Sequence, residues 1–232
     1  MSSTVERTTT EHSTTEHTLE TPKGAVSALL TQPDDAFAVL VLGHGAGAGM
    51  HHPFMVKTAN LLADRGVAVL RYQFPYMEKG GRRPDSKATL FATVRGAAAL
   101  GKELNELPLF LGGKSMGGRM SSMAVAEEAI EGLRGLVFFG FPLHPSGKPS
   151  TGRADHLQEV SVPMLFLQGT RDKLAELDLL KPICDDLEMA DLRIIDGADH
   201  SFGVLKRSGR TPEEAHEEIV DLAVGWMRQL LE

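Results

Sequence analysis

From about Leu19 onward the apolar positions alternate between two patterns, short runs suited to strands and longer stretches at helical spacing. The opening segment "TLETPKGAVSALLTQP" alternates polar and apolar residues around a Pro22 to Gly24 turn, which predicts a β-hairpin at a sheet edge. Ala36 to Leu42, "AFAVLVL", is continuously apolar, as in a central strand buried on both faces. A helix is predicted from Pro53 to about Arg65, with proline tolerated in its first turn and Gly66 closing it. Strand Val67 to Tyr72, a helix from about Ser86 to Leu104, strand Leu107 to Leu111 and a helix beginning near Met116 follow. Next come strands Leu133 to Phe139 and Val162 to Gln168, a helix from about Leu174 to Leu187, and strand Leu192 to Ile195. Thr211, Pro212 and Glu214 form the capping-box signature of a last helix, whose buried stripe is expected to be Ile219, Leu222, Ala223, Trp226 and Leu230. This rhythm of βαβ units predicts an α/β fold, a mostly parallel, doubly wound sheet of about seven or eight strands with helices on both faces.

Residues 1–18 are mostly Ser, Thr, Glu and His and bury too little apolar surface to offset the entropy of ordering; they are expected to form a disordered tail before a single domain over residues 19–232. His12 and His17 in that tail, separated by four polar residues with no third ligand, make a poor metal site. The 19 residues from Pro142 to Val160 offer the only room for an insertion between core strands, too little for a cap domain, so an open site is expected. One cysteine, Cys184, excludes an internal disulfide or a thiolate metal cluster and suits a reducing compartment; it reads as a packing residue of its helix. No apolar run approaches the roughly 20 residues needed to span a bilayer, so a cytoplasmic protein is expected.

The nucleophile-elbow pattern Gly-x-Ser-x-Gly occurs as Gly113, Ser115 and Gly117, directly after an apolar strand and before a small-residue helix. A serine on such a sharp turn sits in strained backbone, and side chains two residues away on either side would collide, hence the glycines. The turn also sets Ser115 at a helix N-terminus, where the Met116 N–H can stabilise a developing oxyanion. The overlapping letters Gly113-Lys114-Ser115 do not make a phosphate loop, because the first glycine of that motif is replaced by Pro108, within the strand.

Three further segments supply partners. The strand ending at Leu42 runs into Gly43-His44-Gly45-Ala46-Gly47, where Ala46, and next Gly47, are the candidate second oxyanion donors. His44, pinned between glycines, reads as structural rather than as a base, and His51 and His52 as site-wall or capping residues. Asp172 follows the strand ending at Gln168, at the edge where catalytic groups collect in open α/β sheets, although it could equally cap the next helix. His200 follows the strand ending at Ile195, on a glycine-containing loop. The order Ser115, Asp172, His200, each just past its own strand, points to a nucleophile, an orienting acid and a general base; Asp196 and Asp199 are rival acids too near His200 along the chain.

These segments, "HGAGAGM", "RYQFPYMEKGGRRPD", "GGKSMGGRM", "FPLHPSGKP", "LQGTRD" and "GADHSF", resemble the α/β-hydrolase superfamily from about residue 23 to the C-terminus. More narrowly they resemble its small dienelactone-hydrolase-like branch, which includes testis-expressed and acetyltransferase-complex-subunit hydrolase-like proteins. The resemblance implies the lidless fold and carries Ser115, Asp172 and His200 onto nucleophile, acid and base. Dienelactone hydrolases proper use a cysteine nucleophile where this chain has Ser115, so their lactone substrate does not transfer.

The expected function is a serine hydrolase of a small soluble ester or thioester, acting through an acyl-enzyme without metal or organic cofactor. The alternatives are a non-catalytic interaction protein on the same fold and a cofactor-free perhydrolase. Cations at the expected catalytic edge, among them Arg82, Arg83 and Lys114, suggest an anionic substrate, with a merely solvated rim as the plain alternative. The formal net charge of −7 argues against nucleic acid or an anionic membrane as partner. Its distribution is uneven: residues 1–20 (Arg7 against Glu6, Glu11, Glu16 and Glu20) carry −3 and residues 213–232 carry −5, leaving +1 over the remainder.

Overall fold

The computed structural model describes residues 12–232, so most of the expected tail lies outside the described residues. Among the described residues eight strands form one sheet, β1 (His12–Leu19), β2 (Val26–Pro33), β3 (Ala38–Gly43), β4 (Val67–Tyr72), β5 (Leu109–Lys114), β6 (Leu133–Phe139), β7 (Met164–Gly169) and β8 (Ala190–Ile195). The order across the sheet is β1-β2-β4-β3-β5-β6-β7-β8. The pairs β1·β2 and β2·β4 are antiparallel and every later pair is parallel. Six α-helices accompany them: α1 (Pro53–Ala63), α2 (Pro75–Glu78), α3 (Lys87–Leu104), α4 (Met116–Glu127), α5 (Leu177–Asp186) and α6 (Pro212–Gln229). None of the described helices is long and apolar enough to cross a membrane.

Successive residues of the central strands supply opposite faces, which is why these strands read as unbroken apolar runs. Val39, Val41, Leu111, Phe138 and Phe166 pack under α3, α4 and α5. Their neighbours Leu40, Leu42, Phe110, Val137, Phe139 and Leu165 pack under α1 and α6. Local chemistry sets the helix ends. His52 accepts the Phe54 N–H ahead of Pro53 in α1, and Thr211 and Glu214 exchange both hydrogen bonds of a capping box at α6.

The structure corrects the expected extent of the tail. Residues 12–18 belong to β1, paired along its whole length with β2 from His12 opposite Pro33 to Leu19 opposite Val26. An edge strand needs only one paired side and few buried side chains; Leu19 alone is buried here, and the β-branched Thr14 bonds Thr31 across the pair at 3.2 Å. The stripe of α6 is also wider than expected. Val220 and Met227 join Ile219, Ala223 and Trp226 in the core, whereas Leu222 and Leu230 lie on its flank.

The segment 142–160 carries one 3₁₀ turn, Asp155–Glu159, and no cap. Its His156 bonds Ser122 of α4 at 2.8 Å, so the insertion lies along that helix. Chain order reverses between β3 and β5, which makes the carboxyl ends of these two strands the switch point where open α/β sheets bind ligands.

Candidate active site

Ser115 stands between β5 and α4 with φ 52° and ψ −114°, a strained conformation for a residue with a side chain. The turn is locked by its neighbours. A Cβ on Gly117 would lie 2.1 Å from the Gly43 carbonyl oxygen, and one on Gly113 would lie 2.5 Å from that same atom. Both glycines are therefore demanded by the approach of the β3 end to the start of α4. The Ser115 N–H donates to the Phe139 carbonyl at 3.2 Å, tying the elbow to the end of β6.

The loops after β7 and β8 are equally close. A Cβ on Gly169 would lie 2.3 Å from the Ala198 carbonyl oxygen. The Arg171 N–H donates to that carbonyl at 2.9 Å, and the Gly197 N–H donates to the Thr170 hydroxyl at 2.8 Å. This stitching brings Asp172 and His200 to Ser115. His200 Nε2 is 2.9 Å from Ser115 Oγ, and His200 Nδ1 is 2.6 Å from Asp172 Oδ2. Asp172 is buried, and its Oδ2 also accepts from Gln168 Nε2 at 2.5 Å while Oδ1 accepts the Leu174 N–H at 2.8 Å. Asp199 is occupied within its own loop, accepting the N–H groups of Ser201 and Gly203, and Asp196 Oδ1 lies 3.5 Å from the Thr170 hydroxyl. Neither rival is hydrogen-bonded to the imidazole.

Residues 36–228 match the family model of the alpha/beta hydrolase domain. The chain belongs to the alpha/beta hydrolases. Its fold is similar to that of a dienelactone hydrolase from Anabaena variabilis, with a TM-score of 0.74 and 21% identity over 94% of this chain and 98% of that one. It is similar also to an α/β serine hydrolase without a lid from Xanthomonas campestris, with a TM-score of 0.70 and 19% identity over 92% and 94% of the two chains. A third similar structure is the esterase domain of a Rhodothermus marinus protein, with a TM-score of 0.70 and 17% identity over 94% and 98%. The chain thus has the fold of these hydrolases, with no cap domain among the described residues.

In this hydrolase a cleft of about 560 Å³ opens over Ser115 and His200. Ala46, Ala48, Pro53, Phe54, Met55 and Leu174 give it an apolar wall. Ala46 lines the cleft, whereas the Gly47 N–H is turned to the Tyr76 hydroxyl at 3.4 Å. The Met116 N–H, first of α4, has no intrahelical acceptor. His44 is fully buried; its Nε2 accepts the Phe74 N–H at 3.1 Å, so Nδ1 carries the proton toward the Gly45 carbonyl at 2.8 Å. Burial pushes its pKa down to about 4, despite the hydrogen bond to Gly45.

The expected substrate-binding residues separate into two groups. His52 and Lys114 line the cleft, while His51, Arg82 and Arg83 do not. His51 turns to a separate depression beside Glu16 and His17 of β1. Arg82 and Arg83 are exposed on a loop folded back over α2, where a Cβ on Gly81 would lie 2.8 Å from the Tyr76 carbonyl oxygen and Asp85 Oδ2 accepts the Tyr76 N–H at 2.9 Å. That loop supports Tyr76 and not the cleft.

Lys114 has a different surrounding from the one expected. Its Nζ donates to the His200 carbonyl at 2.5 Å and lies 5.5 Å from the ring centres of both Phe54 and Phe202. Burial pushes its pKa down to about 8, against the opposing influence of Asp172 and Asp199.

Sequence reasoning did not single out Gln168, Tyr76, Lys57, Gly140 or His216. The polar Gln168 at the end of the otherwise apolar "MLFLQ" was the one available signal, since a buried strand tolerates such a side chain only where it finds partners. Gly140, at φ 74°, leaves space for Lys114 and His200; a Cβ there would be 3.1 Å from Lys114 Nζ.

Proposed function

We propose that this chain is a serine hydrolase cleaving small carboxylic esters or thioesters. The observation that carries the reading is the hydrogen-bonded series from Ser115 Oγ through the His200 imidazole to Asp172, set on a strained elbow at the floor of a cleft. His200 Nε2 accepts the Ser115 proton as Oγ attacks the acyl carbon, and Asp172 holds the imidazole and balances its positive charge. The tetrahedral oxyanion is met by the N–H groups of Met116 and Ala46. On collapse the bond to the leaving oxygen or sulfur breaks and His200 delivers the proton to it. Water then gives a proton to His200 and attacks the acyl-enzyme; as the bond from the acyl carbon to Oγ breaks, His200 returns that proton to Ser115 and the acid is released.

The apolar wall favours a short aliphatic or aromatic acyl group over a charged one. Two lysines line the cleft: Lys57 lies 3.7 Å from Glu213, and Lys114 is directed at the His200 carbonyl. An anionic substrate therefore gains less from the cleft than the count of rim cations suggested.

A fluorophosphonate probe tests the assignment, with labelling expected for the wild type and none for Ser115→Ala. An unlabelled wild type, or labelling that survives the substitution, would favour a non-catalytic interaction protein on this fold. A panel of 4-nitrophenyl esters of graded length and charge then locates the substrate class; kcat/KM is expected to be higher for neutral acyl groups of two to about six carbons than for anionic ones of equal size.

A further inference from the structure

We propose that Lys114 is a positioning residue, whose ammonium pins the backbone carbonyl of His200 and so holds the imidazole between Ser115 and Asp172. The inference rests on the serine-hydrolase reading of the site and adds to it a built-in alkaline limit.

Lys114 is the last residue of β5 and precedes Ser115, so its backbone is fixed by the same elbow that fixes the nucleophile. Its side chain crosses to the loop after β8 and adds a second link, beside the Ser115–His200 hydrogen bond, between two parts of the site. The 2.5 Å contact from Nζ to the His200 carbonyl is the direct bond between the elbow and the main chain of the base loop. That loop needs such a support. Phe202 has φ 61°, left-handed for a residue with a bulky side chain, and conformations of this kind persist only where their surroundings over-determine them.

Rings and carboxylates around Nζ offset part of the cost of burying a cation. Nζ sits 5.5 Å from the centres of the Phe54 and Phe202 rings, which themselves stack at 6.0 Å. The carboxylates of Asp172, on the loop after β7, and Asp199, beside His200, favour the charged form. From α1 and α6 the cleft also receives His52, Lys57 and His216, of which Lys57 is itself 3.7 Å from Glu213. Gly140, on the loop after β6, leaves the ammonium its space. Lys114 borders the cleft, yet its ammonium is committed to a main-chain acceptor, the His200 carbonyl.

Burial brings the pKa of Lys114 down to about 8, so the charged form is lost as pH rises through that value. The hydrogen bond to His200 then weakens from charge-assisted to neutral, and the hold on the base loop relaxes. Activity is therefore expected to fall on the alkaline side of pH 8 without a matching rise in KM.

The test compares wild type, Lys114→Met and Lys114→Arg, measuring kcat and KM for 4-nitrophenyl butyrate from pH 6 to 10, with amide hydrogen exchange over residues 198–203. Methionine keeps the apolar stem between the rings and removes the charge. It is expected to lower kcat at least tenfold with KM changed less than threefold, and to speed exchange of the loop by about tenfold. Arginine, charged throughout the range, is expected to recover most of kcat and to move the alkaline limb beyond pH 10. A Lys114→Met variant with wild-type kcat and exchange, or one altered in KM alone, overturns the proposal. Two readouts do not depend on catalysis: the exchange, and the titration of the Lys114 amine in lysine-labelled Ser115→Ala protein by NMR. If the wild type proves inactive, loop protection that depends on Lys114 still upholds the positioning contact, and only the catalytic reading fails. An amine titrating with the exposed lysines overturns the contact even if the methionine variant does not fold.

Discussion

Gly117 leaves no room for a methyl group. The atoms that an alanine Cβ would meet are the carbonyl oxygen and carbon of Gly43 at 2.1 and 2.3 Å, all backbone, so no side chain can rotate away. Gly117→Ala is expected to cost about 3 kcal/mol or more of stability, read from the shift of the urea midpoint, and to abolish fluorophosphonate labelling. Gln168 acts less visibly. Its Nε2 supports Asp172 at 2.5 Å while its Oε1 accepts the Phe141 N–H at 3.0 Å, so it fixes the carboxylate relative to the loop after β6. Gln168→Leu strands both partners, and kcat for an ester substrate should fall roughly tenfold with KM nearly unchanged. The difference in legibility between these residues has a physical origin. Ser115, Asp172 and His200 announce themselves because each follows a strand in a turn whose composition is unusual. Gln168 and Lys114 lie within strands, where their importance depends on what the neighbouring loops bring against them. His51, Arg82 and Arg83 show the opposite error, since position along the chain placed them near the catalytic edge while local folding turned them elsewhere.

Helix α6 offers a paired test at the scale of an element. Thr211 accepts the Glu214 N–H at 3.1 Å and Glu214 accepts the Thr211 N–H at 2.7 Å, so Thr211→Ala removes one bond of the box and should cost about 1 kcal/mol. At this chain length that corresponds to a melting temperature lower by about 2–4 °C. Gly225 lies on the exposed face of the same helix with nothing within 4 Å of a Cβ, and Gly225→Ala should raise stability by about 0.5–1 kcal/mol. Opposite signs from two changes in one helix would separate propensity and capping from packing. Elements with a strong period or a cap were legible almost to the residue, as with Val67–Tyr72, Leu133–Phe139 and the start of α6. The edge hairpin of β1 and β2 was legible around its Pro22–Gly24 turn, but the N-terminal part of β1, residues 12–17, was not, because its stability comes from backbone pairing with β2, and a row of threonines and histidines carries no apolar period to reveal that partner. The four-residue α2 escaped for a related reason: a single turn is too short to display a helical period.

Across the whole molecule, two buried histidines, His44 and His216, and the half-buried His156 join layers that the sheet alone does not hold together. His44 ties the loop after β3 to Phe74, His156 ties the segment 142–160 to Ser122 of α4, and His216 ties α6 to Thr58 of α1 at 2.8 Å. For each, burial is the leading cause of a pKa pushed down to about 4, so each is neutral in the folded protein at pH 7. Around His156 the cations Arg119 and Lys87 add to the effect, and around His216 so does Lys57. The unfolded chain takes up these protons near pH 6.5 and the folded protein only near 4, so the unfolded state binds more protons between those values. Stability carries no penalty from them above about pH 6.5, declines as pH falls through the interval, and bears the full penalty below about 4. For the fully buried His44 the upper bound is on the order of 3 kcal/mol, and solvent screening leaves less for the half-buried His156, so the three together draw on the margin of an ordinary domain. Urea midpoints measured from pH 7.5 to 4 should therefore be flat at first and then fall steeply. His216→Gln, which keeps a polar partner for Thr58 and removes the titrating group, should be less stable than wild type at pH 7.5 and lose a smaller amount on acidification. A variant with the wild-type slope would assign the acid sensitivity to the carboxylates of the ion-paired surface instead, because those also take up protons in the lower part of this range.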